Sequence, residues 1–154
     1  MDEGGSGFTL SSFTSEDALE LGNLLYARLV SFAPARPALI SISSSGGSQV
    51  LYQTVTGPGI TPDNEVWVRR KRATVERFGV SSWQMGRKFQ GDDAAFATKF
   101  GLSTEQAGQY AIHGGGIPIR VQGVDGVVAV VIVSGLKQHE DHGVISEVIR
   151  GNWE

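Results

Sequence analysis

Two β-strands joined by a tight turn constrain the fold of this chain more than any other feature. Ile117–Gln122 and Val127–Val133 are rich in Val and Ile, and Gly123-Val124-Asp125-Gly126 lies between them. A short connection that contains glycine is typical of a β-hairpin. Because strands joined by so short a turn run in opposite directions, the sequence predicts an antiparallel sheet in this part of the chain.

A second hairpin and several helices complete the predicted architecture. Ala38–Ser44 and Val50–Thr56 resemble strands and flank the turn Ser45-Gly46-Gly47-Ser48. Helical spacing of apolar residues, together with capping residues, predicts helices at Thr14–Phe32, Thr61–Phe78, Ser81–Phe89, Asp92–Phe100, a single turn at Ser103–Gln106, and Glu140–Asn152. Helices at both ends of such a sheet cover its faces, so we expect an α+β fold.

Length and composition indicate one globular domain. The chain has 154 residues, of which 40% are hydrophobic and 19% charged, enough to bury a single core. Residues 1–12 are rich in glycine and serine and predict a disordered N-terminal lead-in, which leaves 13–154 as the domain. The formal net charge of −3 argues against nucleic acid as a partner.

The sequence also bears on the compartment. It contains no cysteine, which excludes disulfides, thiolate metal sites and a cysteine nucleophile and fits a reducing compartment. Residues 1–8 do not resemble a secretory signal, and no apolar run approaches the length needed to span a membrane. We therefore expect a soluble cytoplasmic protein with no membrane partner.

A glycine triplet next to a histidine is the first candidate for a functional site. All 3 histidines of the chain lie between His113 and His142, and His113 is followed by Gly114, Gly115 and Gly116. Glycines let backbone N–H groups approach an anion, and the imidazole would bind a metal or haem iron or transfer a proton. The alternative is a tight loop whose histidine bonds a neighbouring carbonyl. Spacing alone leaves both interpretations open.

The start of the last helix is the second candidate. His139 and His142 are three residues apart and would lie on one face of the helix, where Asp141 could join them around a metal ion. Acidic residues in a first helical turn are more simply explained by the helix dipole, so no metal is assigned. Ser134 and Gly135 precede this helix, and N–H donors at its start would face an anion.

A basic helical segment is the third candidate. Arg69-Arg70-Lys71-Arg72 lies in the helix predicted at Thr61–Phe78, close to Trp67. Such a run is usually solvated, and its residues point in different directions around the helix. Some of them would reach carboxylates of a ligand or acidic residues of a neighbouring subunit. The sequence contains neither a phosphate-loop motif nor a dinucleotide fingerprint.

Three motifs resemble a known family. They are Asn64-x-x-Trp67-Val-Arg-Arg-Lys71, His113-Gly-Gly-Gly-Ile-Pro-Ile119 and Val133-Ser-Gly-Leu-Lys-Gln-His-Glu-Asp-His142. In this order they resemble the GlcG/HbpS-type family, described as a haem-degrading domain, and in particular its small cytosolic single-domain branch. The resemblance spans residues 13–153. It implies a profilin-like fold with a central antiparallel sheet of about five strands, and dimers that build larger rings or stacks.

The resemblance also implies a ligand. Related members bind haem or a corrinoid, so we expect a homo-oligomeric module that binds a small anionic or tetrapyrrole ligand, with haem as a possible cofactor. Arg70 and Lys71 would meet ligand carboxylates, and His113 would hold iron or transfer a proton. The candidate ligand-binding residues are Trp67, Arg70, Lys71, His113, Gly114, Gly115, Gly116, Ser134, Gly135, His139, Asp141 and His142.

Two other functions are compatible with the sequence. The first is an enzyme that uses His113 as a general acid or base on a small metabolite, which requires an accessible imidazole beside donors that stabilise developing charge. The second is a structural or adaptor oligomer without a ligand, in which the basic helix and the His139–His142 segment form subunit contacts.

Overall fold

A five-stranded sheet with helices on both faces forms the domain. The computed structural model describes residues 4–153. The strands are β1 (Phe8–Leu10), β2 (Leu39–Ser44), β3 (Val50–Val55), β4 (Gly116–Val121) and β5 (Ala129–Ser134). The helices are α1 (Ser15–Leu29), α2 (Pro62–Phe78), α3 (Ser82–Lys88), α4 (Asp93–Lys99), α5 (Thr104–Ala107) and α6 (Gln138–Trp153).

The strand order is β1-β4-β5-β2-β3. Both predicted hairpins are present, since β2 pairs with β3 and β4 pairs with β5 in antiparallel fashion, and β5 and β2 join them in the centre. The α+β fold and the sheet of about five strands are therefore confirmed. The added detail is that β1 pairs with β4 in parallel.

The N-terminal segment corrects one prediction. Residues 1–12 were expected to be disordered and to lie outside the domain, but Phe8–Leu10 is an edge strand in register with Ile119–Val121. Phe8 and Leu10 are buried and Thr9 between them is exposed. The alternation buries two apolar side chains. The free energy gained by this burial outweighs the preference of the Gly/Ser-rich segment around them for disorder. The part of this prediction that concerns residues 1–3 falls outside the described residues.

The sheet separates two cores. On one face, α1 and α6 contribute Leu21, Leu25, Ile145 and Ile149 to a cluster with alternate strand residues that include Ile40, Ile42, Ile117, Val131 and Val133. On the other face, α2 contributes Val68 and Val75 to a cluster with Leu39, Val130 and Ile132. Because successive strand residues point to opposite faces, β5 is apolar from Ala129 to Val133 and lies buried between the two layers.

Short helices form a third, largely aromatic cluster beside α2. Met85, Phe96 and Ile112 are its buried members, and Phe78, Phe89, Phe100 and Tyr110 pack around them. The rings of Phe78, Phe96 and Phe100 lie within 4.7–5.7 Å of one another, centroid to centroid, and none of these pairs is stacked face to face. This cluster holds the segment between α5 and β4, which carries His113, against the C-terminal half of α2.

Helix α2 begins and ends at residues that suit these positions. Thr61 and Asn64 form a reciprocal capping box at its start, and Pro62 is the first helical residue. Gly79 ends the helix in the left-handed conformation, with φ 68°. The predicted bounds of this helix are confirmed, and they place Asn64, Trp67 and Lys71 on one side of it.

Gly22 tests the packing of α1 against the sheet. A Cβ atom at Gly22 would overlap the Tyr52 ring on β3, whereas one at Gly143 in α6 would meet no atom within 4 Å. Gly143→Ala is expected to raise the free energy of unfolding by about 0.5–1 kcal/mol, the usual gain in a helix interior. Gly22→Ala should instead lower it by about 1–3 kcal/mol, because the ring must move. Denaturant unfolding of both variants measures the difference, and a stabilised Gly22→Ala would contradict this packing.

Candidate functional site

A cavity of about 480 Å³ opens between the N-terminal half of α2 and the start of α6. We call it the Trp67 cavity. It is lined by Asn64, Trp67, Lys71, His113, Ser134, Gly135, Leu136, Lys137, Gln138 and Asp141. Its volume falls within the range of about 300–1,000 Å³ that small-molecule sites occupy. Three distant segments of the sequence therefore meet at one concave surface.

Half of the predicted site meets here. Trp67 and Lys71 are one helical turn apart on α2, and Ser134 ends β5 with Gly135 directly after it. Asp141 lies in the first turn of α6, and His113 precedes β4. Strands β4 and β5 are hydrogen-bonded neighbours. Their antiparallel pairing brings His113, which precedes β4, close to Ser134 and Gly135 at the end of β5.

A buried ion pair forms the floor of the Trp67 cavity. Lys71 Nζ lies 3.3 Å from Asp141 Oδ2 and donates a hydrogen bond to Val133 O at 3.0 Å. The two side chains are only 4% and 3% exposed. The other carboxylate oxygen, Asp141 Oδ1, accepts the backbone N–H of Leu136 at 3.0 Å. The pair thus ties α2, β5 and the start of α6 together.

Burial acts on both partners of this pair. Desolvation lowers the pKa of Lys71, and the Asp141 charge and hydrogen bond oppose this shift. Desolvation likewise raises the pKa of Asp141, against the opposing effects of Lys71 and the backbone N–H groups of Leu136 and Gly135. Because removal from water disfavours both ionised forms, the two pKa values are displaced toward each other.

His113 is the imidazole that lines the cavity. Its ring meets the Trp67 indole edge to face, with centroids 5.2 Å apart at an interplanar angle of 78°. Nε2 lies 3.9 Å from Asp93 Oδ2, and the two side chains are 35% and 63% exposed. Such an exposed ion pair is weak. The imidazole therefore remains available to a ligand.

The glycine triplet packs the floor rather than presenting free donors. The N–H of Gly114 donates to Gln138 Oε1 at 3.1 Å, and that of Gly116 donates to Ser82 Oγ at 3.0 Å. Gly115 has φ 126°, and a Cβ there would overlap Val133 O and lie 2.6 Å from Lys71 Nζ. The expectation that the N–H groups of Gly114 and Gly116 await an anion is corrected, because both are satisfied inside the protein.

Arg70 is directed away from the Trp67 cavity. Its guanidinium lies over the Trp67 ring, 4.6 Å from the centroid, and its Nε donates to Tyr110 O at 2.9 Å. Adjacent residues on a helix point about 100° apart, so Arg70 and Lys71 do not share a surface. The expectation that Arg70 meets a ligand carboxylate is corrected: it supports the indole and anchors the segment that leads to His113.

His139 and His142 lie outside the Trp67 cavity. Both line a second cavity on α6 with Trp83, where the buried His142 ring stacks on the indole at 5.7 Å and 25°. The expectation that the three imidazoles share one concave site is wrong. Adjacent residues of a helix point in different directions, so His142 does not face the Trp67 cavity that Asp141 lines. Within residues 4–153, no group of three His, Asp or Glu side chains is arranged to hold a metal ion.

Sequence reasoning missed part of the cavity lining. Asn64, Leu136, Lys137 and Gln138 line the Trp67 cavity but were not among the candidate residues. A helical period from Trp67 back to Asn64 would have pointed to Asn64, which also lies in the first motif. Leu136 and Lys137 lie in the turn between β5 and α6, and Gln138 begins α6. All three are inside the third motif.

The geometry defines the class of protein as an α+β domain with a polar, ligand-sized cavity at the junction of two helices and the sheet. The chain belongs to the HbpS-like family, since the family model described as "Haem degrading protein HbpS-like" matches residues 13–150. The resemblance inferred from the three motifs is confirmed. A UPF0303 protein of Streptomyces avermitilis is 42% identical over 141 residues, which cover 92% of this chain and 81% of that protein. The UPF0303 protein YBR137W of Saccharomyces cerevisiae is 40% identical over 133 residues, or 86% of this chain and 71% of that protein.

Solved structures share the fold. The crystal structure of the Ybr137w protein is similar with a TM-score of 0.83 and 38% identity, over 97% of this chain and 83% of that one. A complex of PduOC with haem has a TM-score of 0.66 and 14% identity, over 93% of this chain and 97% of that one. HbpS of Streptomyces reticuli, as a double mutant, has a TM-score of 0.67 at 14% identity, over 92% and 88% of the two chains.

None of the helices within residues 4–153 combines the length and the apolar character needed to cross a bilayer.

The Lys71–Asp141 pair predicts an asymmetric response to mutation. Lys71→Met leaves a buried carboxylate without its cation and should lower the free energy of unfolding at neutral pH by about 3–5 kcal/mol. The double variant Lys71→Met/Asp141→Asn removes both charges and should lose much less than the two single variants together. Denaturant unfolding of all four proteins measures the coupling.

The same variants predict a pH dependence. In Lys71→Met the folded state holds Asp141 with a pKa raised by burial, so folding favours the protonated acid. The stability of this variant should therefore rise as the pH is lowered through the folded pKa and fall as the pH increases. The double variant lacks the carboxylate and serves as the control. An equal pH response in both proteins would exclude Asp141 as the cause.

Proposed function

We propose that this protein is a small-ligand-binding module whose Trp67 cavity takes a planar, anionic ligand. One observation carries the proposal: an aromatic ring, an accessible imidazole and a lysine side chain line a single open cavity of about 480 Å³. Ligand sites combine apolar or aromatic walls with a few oriented polar groups in this way. PduOC, a protein of the same fold, has been crystallised with haem.

The charges of the lining favour an anion. Lys71 and Asp141 neutralise each other at the floor, which leaves the exposed Lys137 as the cation nearest the start of α6. Helix α6 spans 16 residues, and the N-terminal end of its dipole attracts negative charge. A ligand carboxylate would meet Lys137 rather than Arg70.

The side chains of the Trp67 cavity fit haem in their chemistry. His113 offers an imidazole nitrogen of the kind that ligates haem iron, Trp67 offers an aromatic face, and Lys137 would pair with a propionate. Bound haem would supply a redox-active iron. The residues themselves would orient the ligand and limit the access of water to it. The description of the family as haem degrading supports the choice of haem as the first ligand to test.

Haem titration tests this proposal. Wild-type protein should give a saturable change in the Soret absorption band, and His113→Ala should bind at least about tenfold more weakly, because a side chain that would ligate the iron is lost. His139→Ala is the matched control, since His139 is exposed and lies outside the Trp67 cavity. An unchanged wild-type spectrum would remove the tetrapyrrole ligand from the proposal.

An enzyme is the second candidate function. His113 is accessible, lies 3.9 Å from Asp93 and lines a cavity, which supports a general acid or base acting on a small metabolite. This candidate shares the residues of the binding module, and it additionally requires turnover that His113→Ala abolishes.

We further propose that the protein acts as a cytoplasmic homo-oligomer. Strand β3 is an edge strand whose sequence, Val-Leu-Tyr-Gln-Thr-Val, contains neither a charge nor a proline to discourage pairing. The exposed apolar residues Leu19 and Tyr26 on α1 and Val50 and Val55 on β3 form what we call the β3 edge surface. Two copies meeting there about a two-fold axis would pair β3 with β3. In the adaptor alternative, the basic helix and the His139–His142 segment would form the subunit contacts instead.

Charge substitution at the β3 edge surface tests self-association. Val50→Lys/Val55→Lys should reduce the native mass measured on dilution, because two lysines would oppose their copies across the axis. Val124→Lys is the matched control, since Val124 is as exposed, at 51% against 57% and 44%, but lies in the turn between β4 and β5. A wild-type protein that remains a single chain at micromolar concentration would refute the oligomer.

A further inference from the structure

Lys71 carries an amine that is withdrawn from solvent yet lies on the wall of a cavity. A lysine normally extends its stem to place the ammonium in water. Here the Lys71 side chain is only 4% exposed and nonetheless lines the Trp67 cavity. The other lysines, Lys88, Lys99 and Lys137, are exposed. Lys71 is therefore chemically distinct from every other lysine of the chain.

The neighbours of the amine include an acceptor for its proton. Nζ is held by the acceptors Val133 O at 3.0 Å and Asp141 Oδ2 at 3.3 Å. The carboxylate is buried and is itself fixed by the N–H of Leu136. Proton transfer from Lys71 to Asp141 removes two buried charges at once, which lowers the desolvation cost of the pair. The product is a neutral amine beside a carboxylic acid.

The packing around the amine depends on a glycine. A Cβ at position 115 would lie 2.6 Å from Lys71 Nζ, so Gly115 permits the amine to occupy this position. His113 lines the same cavity and is 35% exposed. A neutral, oriented amine, an acid beside it and an accessible imidazole are the groups that amine catalysis of carbonyl compounds requires.

We propose that Lys71 is a nucleophile that forms an imine with a small carbonyl compound bearing a carboxylate, such as a 2-oxo acid. The inference rests on the proposed function only in that the Trp67 cavity must admit a small ligand. The carboxylate of the compound would meet Lys137 at the start of α6 and direct the carbonyl carbon toward the floor. Neither haem nor a redox partner is involved.

The step balances without an oxidant or reductant. Lys71 gives one proton to Asp141, and its lone pair attacks the carbonyl carbon to form the C–N bond. The carbonyl π pair moves to oxygen, which takes one of the two protons on nitrogen to give a carbinolamine. The nitrogen lone pair then forms the C=N bond and expels the hydroxyl group, which leaves as water with a proton from His113. The remaining proton on nitrogen returns to His113. The sum is amine plus carbonyl giving imine plus water.

Reductive trapping tests the inference. Wild-type protein is incubated with glyoxylate, the smallest 2-oxo acid, and sodium cyanoborohydride, whose hydride converts the imine into a stable secondary amine. Intact mass and peptide mapping then locate the adduct. We expect labelling of Lys71 to exceed that of Lys88, Lys99 and Lys137 by about tenfold or more, because burial favours the neutral, nucleophilic form of this amine.

Matched variants and a second probe separate the inference from simple accessibility. Lys137→Arg removes the other amine of the cavity but keeps its charge, and should retain the Lys71 adduct, whereas Asp141→Asn should slow its formation. Propionaldehyde, which lacks the carboxylate, should label Lys71 less selectively. Mapping uses wild-type protein, so a variant that fails to fold does not affect the main result.

Two outcomes would overturn the inference: Lys71 unlabelled while exposed lysines react, or Lys71 labelled no faster than they are. The ion pair would then act only as a tie between α2 and α6. A protein that binds haem but leaves Lys71 unlabelled contradicts this inference and leaves the proposed function intact. Selective labelling of Lys71 without any haem binding supports the inference and contradicts the tetrapyrrole ligand.

Discussion

The ion pair between Lys71 and Asp141 joins three elements that are far apart in the sequence. Helix α2 contributes the ammonium and α6 the carboxylate. Strand β5 contributes the carbonyl of Val133, which accepts a second hydrogen bond from the ammonium. Since a buried charge without a partner costs several kcal/mol, neither helix can shift along the sheet without loss of stability. The position of the Trp67 cavity, which lies directly over this pair, follows from that restraint.

The groups around the pair keep it buried at the floor of the Trp67 cavity. Gly115 brings the main chain close to Lys71 Nζ where any side chain would collide. On the other side, Trp67 is held between the guanidinium of Arg70 and the ring of His113. Arg70 is fixed in turn by Tyr110 O, which belongs to the segment packed on the aromatic cluster. The short helices α3–α5 therefore serve the site by fixing one wall of it.

Several features could be predicted from sequence because they are local. The capping residues Thr14, Thr61 and Ser103 each bond within three residues of themselves, so the helix starts were visible in the pattern. Both hairpins depend on short turns and were equally visible. Strand β1 was not, because its pairing with β4 connects residues more than a hundred positions apart and its three residues carry too little periodicity.

The candidate site divides in the same way. The sequence by itself determined the fold class, the order of the helices and of strands β2 to β5, and the three segments in which site residues lie, since periodicity, caps and motifs are properties of neighbouring residues. Only the tertiary structure decided that Lys71 and Asp141 form a buried pair, that Arg70 faces Trp67, and that His139 and His142 belong to another surface. These assignments depend on the rotation of each helix about its axis and on strand pairing. Both are set by packing between distant segments, which no local pattern encodes.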